Sequence, residues 1–231
     1  MMKHFLTLIV LLVSNTLIAQ QYSGNISGFK LDALDVVAFP FGMEYPLKIG
    51  SIDKEGHVEI NLDAVDITKI PDDLKSDYFG RLTESFFSAC NNPDVLGISN
   101  EIKAAKCGAL FLWNNKEQAG ALLLISDEKL KPWLEDRYYK EPVNASFFEI
   151  LYVDQDINID NTCKTTYNLE SGDVVAENNF KIGLKKGFNM VQYKIDSIHK
   201  TNPEETSSIP VKMHILNPED ATEIHWIVKY F

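Results

Sequence analysis

Along most of the chain hydrophobic and polar residues alternate with a period of two, the pattern of a strand with one covered face. Tyr22 to Leu62 reads as short strands separated by turns. Leu34 to Phe39 is a strand stopped by Pro40. Leu47 to Ile52 and His57 to Leu62 flank Asp53-Lys54-Glu55-Gly56, a hairpin closed by glycine. Cys107 to Trp113 and Ala119 to Ile125 are almost continuous apolar runs around a polar turn, which predicts a central hairpin covered on both faces. Six more strands are predicted at Ala145 to Val153, Ile157 to Tyr167, Val174 to Leu184, Met190 to Ser197, Val211 to Leu216 and Glu223 to Tyr230.

Between residues 71 and 140 the period changes. Pro71-Asp72-Asp73 places a proline and two acids where a helix starts. Leu74, Tyr78, Leu82 and Phe86 then recur every four residues, with Phe79 and Ala89 beside them, predicting one amphipathic helix that Asn91-Asn92-Pro93 ends. Ser126 caps a second, short helix broken by Pro132. The expected architecture is mainly β: an antiparallel β-sandwich or incomplete barrel of about ten strands, with a helical insertion around residues 71–140.

The first residues, MMKHFLTLIVLLVSNTLIA, combine Lys3, an apolar run from Phe5 to Val13 and a small residue at position 19. This is the pattern of a secretory signal peptide over residues 1–19, leaving one domain over residues 20–231. No later apolar run is long enough to suggest membrane insertion. The formal charge is −11. Such an acidic chain repels phosphate backbones, so nucleic acid is not an expected partner. Of the three cysteines, Cys90 and Cys107 are nearest in sequence and are the expected disulfide; three buried unpaired thiols are the alternative.

YVDQDINID puts Asp154, Asp156, Asn158 and Asp160 at every second position, as oxygen donors recur in a calcium loop. Ile159 and Thr165 stand where an EF-hand loop needs Gly and Glu. Same-face side chains on a strand are also about 6.6 Å apart, too far for four to share one ion. The expected reading is a strand with one wet face, with Asp154 and Asp156 retained as a weak calcium candidate. His214 and His225 fall on C-terminal strands that are neighbours in sequence and could face each other.

No nucleophile elbow, H-E-x-x-H or phosphate-binding glycine loop is present, so no catalytic residue is assigned and no cofactor is expected. Trp133, Tyr138 and Tyr139 in KPWLEDRYYK are the candidate ligand-binding residues, since exposed aromatic planes stack on sugars or anchor protein partners; the other reading, which the usual burial of large aromatics favours, is that Trp133 covers the core from a short helix.

SIDKEGHVEINL resembles the hairpin of carboxypeptidase-regulatory-like and related β-sandwich modules in secreted Bacteroidetes proteins. FEILYVDQDINID and LKKGFNMVQYKI resemble strand and turn patterns of uncharacterised secreted Bacteroidetes proteins. The resemblance implies a β-sandwich and carries no catalytic residue. The expected function is that of an exported soluble protein in the periplasm or at the cell surface of a Gram-negative bacterium. It would be a non-enzymatic module binding a protein or carbohydrate ligand. A periplasmic hydrolase with a carboxylate/His site and a carrier of small apolar ligands, suggested by the Cys107 to Ile125 hairpin, are the alternatives.

Overall fold

A computed structural model describes residues 20–87, 90, 92–137, 140–169, 172–200, 208–218 and 221–231. They form a 14-stranded mixed sheet that does not close into a barrel. The first four strands are β1 (Gln21–Asn25), β2 (Leu34–Ala38), β3 (Leu47–Ile52) and β4 (His57–Asn61). β5 (Gly80–Arg81), β6 (Lys103–Lys106), β7 (Leu110–Asn114) and β8 (Glu117–Ile125) follow. The long C-terminal strands are β9 (Ser146–Val153), β10 (Ile157–Leu169), β11 (Gly172–Leu184), β12 (Gly187–Lys200), β13 (Ser208–Leu216) and β14 (His225–Tyr230). The main path runs β1-β4-β3-β2-β7-β8-β9-β12-β13-β11-β10, with β14 added to β8, and β6 lying between β5 and β9. Every pairing is antiparallel except β11 with β13, which is parallel.

Two hydrophobic cores share one wall. On β9, Phe148, Ile150 and Tyr152 enter the first core, and Phe147, Leu151 and Val153 enter the second. β12 divides in the same way, with Phe188 and Met190 against Val191, Tyr193 and Ile195. A strand covered on both faces needs apolar residues at consecutive positions, which SFFEILYV supplies. The doubly covered strands are therefore β9 and β12. The β7–β8 hairpin, where the sequence predicted it, shows the alternating burial of a strand with one better-covered face.

The predicted helix beginning at Pro71 is interrupted. α1 (Asp72–Tyr78) ends at extended Phe79, Gly80–Arg81 pairs with β6, and α2 (Leu82–Ser85) is a single turn. The apolar stripe is split between the cores: Leu74 and Phe79 pack on the first, Leu82 and Phe86 lie in the second, and Tyr78 is exposed. Strand pairing at Gly80, a poor helix former, overrides the four-residue repeat. Ala89 and Asn91 lie outside the described residues. Further on, Asp127, and not Ser126, caps the turn Glu128–Leu130 by accepting from Lys129 N at 2.9 Å. α3 (Lys131–Glu135) follows with Pro132 in its first turn, where its missing N–H costs nothing.

The disulfide joins Cys90 to Cys163, with Cα atoms 5.8 Å apart, and Cys107 is a buried free thiol. The two cores explain why the expected Cys90–Cys107 pair does not form. Cys107 points into the first core, whereas Cys163 lies in the second with Cys90 packed against it.

Candidate functional site: a cleft where the sheet forks

β8 and β9 share one ladder pair, Ile125 with Phe147, and then diverge. β7 continues along β8, while β6 continues along β9 as far as the bond from Cys107 N to Ile150 O at 3.1 Å. The chain crosses from one branch to the other at Gly108, whose φ of 65° is the left-handed conformation that glycine adopts without cost. The fork holds a cleft of about 320 Å³. Its walls are Leu110, Leu122 and Leu124 from the β7–β8 branch, Phe148 and Ile150 from β9, and Leu134 from α3.

Three charged side chains also line this cleft: Lys106, Glu149 and Arg137. Glu149 is the only charged residue of β9, and its side chain is 19% exposed. Lys106 Nζ lies 3.1 Å from its Oε2 in an ion pair, and that oxygen is otherwise buried without a hydrogen-bond partner among the described residues. The Tyr193 hydroxyl accepts from Phe87 N at 3.1 Å and hydrogen-bonds the Glu149 carboxylate. Burial first, and then the charge of Glu149, raises the Tyr193 pKa well above its ordinary value. The same two causes push up the Cys107 thiol, so it is un-ionised at neutral pH.

The Arg137 guanidinium lies over the Phe87 ring at 4.0 Å and near the Trp133 ring at 5.6 Å. Phe87, Trp133, Phe147 and Tyr193 pack mutually beneath it, with Phe147 and Tyr193 stacked at 4.9 Å. The aromatic faces hold the cation in place. The cleft mouth thus carries two cations and one carboxylate in a chain whose net charge is −11.

The residues singled out in the sequence lie elsewhere or act differently. Trp133 is 3% exposed and belongs to the second core, so it supplies no open platform for a sugar; it shields the core and faces Arg137. Tyr138 and Tyr139 lie outside the described residues. YVDQDINID is not one strand: it holds the end of β9, a turn over residues 154–156 and the start of β10. Asp154 Oδ1 accepts from Lys103 N at 3.0 Å. Asp156 accepts from Lys186 N at 2.8 Å and Lys185 Nζ at 3.0 Å. Both carboxylates brace neighbouring segments, and no cluster of three metal-ligating side chains occurs among the described residues. His214 on β13 and His225 on β14 do not face each other, since β13 lies between β12 and β11 while β14 adds to β8; His214 Nε2 instead meets Asp196 Oδ2 at 2.8 Å.

Lys106, Arg137 and Glu149 were not identified from sequence. Glu149 did leave a signal, a lone charge within the apolar run FFEILYV, where an acid must find partners to be covered. The His–carboxylate pairs, His57 with Asp53 at 2.9 Å and His214 with Asp196, line neither the fork cleft nor the larger cleft between β1 and β14. No family model, curated protein or solved structure matches the chain.

Proposed function

We propose that the chain is an exported, non-enzymatic binding protein whose fork cleft takes a small amphipathic carboxylate, with an apolar body against the leucines and its head at Lys106 and Arg137. The observation that carries this reading is the convergence of two cations on a leucine-lined cleft at the point where the sheet divides. A volume of about 320 Å³ is at the small end of ligand pockets. Aliphatic walls favour a hydrocarbon body over a sugar ring, and a carboxylate head forms charge-assisted hydrogen bonds with the cations. The signal-like start of the sequence and the Cys90–Cys163 bridge are compatible with an oxidising, exported setting.

Calorimetric titration with octanoate, octanol and octylamine tests this reading. Octanoate binds at least tenfold more tightly than the other two, Lys106→Ala weakens it about tenfold, and Glu149→Gln, which removes the competing anion, strengthens it. Equal binding of all three probes, or an unchanged octanoate affinity in Lys106→Ala, overturns the reading.

A further inference from the structure

β1 and β14 end the series of strands that wraps the first core, and no ladder joins them. Gly24 pairs with Val58 of the first core, so alternation turns Gly24 inward and Ser23 and Asn25 outward. On β14 the same alternation turns Trp226 inward, where its buried indole lies against Gly24, and His225 outward. The indole thus closes this seam from inside. Along the seam the surface keeps a cleft of about 680 Å³, against about 320 Å³ for the fork. Its polar lining comes from both strands and the turns beside them: Ser23, Asn25, Ser27, Glu128, His225 and the exposed Tyr230. The side chains of the first five make no hydrogen bond or ion pair with another described residue. No lysine or arginine lines the cleft, and Glu128 is its one carboxylate.

We propose that this cleft binds a short, uncharged oligosaccharide. An anionic ligand finds no cation there to offset its desolvation, and a cationic one finds a single acid. Sugar hydroxyls both donate and accept, which is what this lining calls for. The two serine hydroxyls do both, and the Asn25 amide donates through nitrogen and accepts through oxygen. Glu128 accepts, and the His225 imidazole in its neutral form does one of each. Tyr230, 46% exposed, supplies an aromatic face on which the C–H side of a sugar ring packs. The volume lies within the range of small-ligand sites. The fork cleft, with leucine walls and two cations, selects the opposite chemistry, so this inference does not rest on the reading of that site.

The test titrates the unmodified full chain with maltotriose, cellotriose and mannotriose, and follows nuclear magnetic resonance signals. The anionic trimer trigalacturonate and the cationic trimer trilysine serve as charged counterparts. At least one neutral trisaccharide binds saturably, in the millimolar range or tighter, and shifts the Asn25, His225 and Tyr230 signals. Both charged trimers bind at least tenfold more weakly than that sugar. Asn25→Ala, a change at an exposed position, weakens the sugar at least tenfold, and Tyr230→Ala at least threefold. Neither variant changes octanoate affinity. No saturable shift of the three signals with any of the neutral sugars overturns the proposal. Equal or tighter binding of a charged trimer also overturns it, as does unchanged sugar affinity in both variants. Octanoate titrated alongside reports on the fork cleft alone, so the failure of one site is distinguishable from the failure of the other.

Discussion

Cys90 is bonded to Cys163 across 73 residues, and the bridge fastens the segment that follows α2 to the middle of β10. Closing so long a loop removes conformational freedom from the unfolded chain, by about 4 kcal/mol in a loop-closure model and 2–4 kcal/mol typically. Replacing both cysteines with alanine is expected to lower stability by about that amount, measured by urea denaturation. Cys107 gives the complementary result. As a buried, un-ionised thiol it stays unlabelled by iodoacetamide in the native protein and becomes labelled in denaturant.

Gly108 makes the crossing between the two branches of the fork at φ 65°, with no neighbour within 4 Å of the place a β-carbon would occupy. Substitution there is therefore costly because of backbone conformation, not crowding. Gly108→Ala is expected to cost about 1–2 kcal/mol, and Gly108→Asn less, since asparagine tolerates the left-handed region. Equal costs for the two, measured by thermal unfolding, would contradict this account.

Ile150 and Leu151 are adjacent on β9 and serve different cores. Each change to alanine is expected to cost about 2–5 kcal/mol. The two cores share β9 and β12, so unfolding should remain a single transition in both variants. Methyl shifts should concentrate in the first core for Ile150→Ala and in the second for Leu151→Ala.

The turn between β11 and β12 is held by two side chains. Asn189 Oδ1 accepts from Lys185 N at 2.8 Å, and its Nδ2 donates to Lys185 O at 2.7 Å and Gly187 O at 3.0 Å. Asp156 binds Lys186 N and Lys185 Nζ from the facing turn, and these contacts lower its pKa below 3.8, the backbone hydrogen bond contributing most. A lowered folded-state pKa means that the stabilisation is complete above the unfolded value and is lost as pH falls through the folded one. Asp156→Asn should therefore reduce Tm at pH 7, and the difference from the native chain should shrink as pH drops below about 3.8. A difference that grows in acid would have the wrong sign.

The strands were legible because their residues alternate. β9, β10, β11 and β14 lie within a few residues of the expected spans. The pairing order was not legible, because the parallel contact of β11 with β13 and the addition of β14 to β8 join segments far apart in sequence. The helical stripe misled because a side-chain period does not reveal that its two halves serve different cores. The fork cleft was hidden for the same reason. Glu149 is conspicuous in its apolar run, but nothing local says that Lys106 will pair with it or that Arg137 will line the same cleft. The Asp154 and Asp156 spacing looked like metal chemistry, yet both acids serve backbone N–H groups across tight connections.

The most direct measurement for the fork cleft is the set of intermolecular nuclear Overhauser contacts in the octanoate complex. The account predicts contacts from the octanoate methyl end to the Leu122, Leu124 and Leu134 methyl groups, with the carboxylate end near Lys106. Contacts confined to the β1–β14 seam, or the carboxylate buried among the leucines, would contradict it.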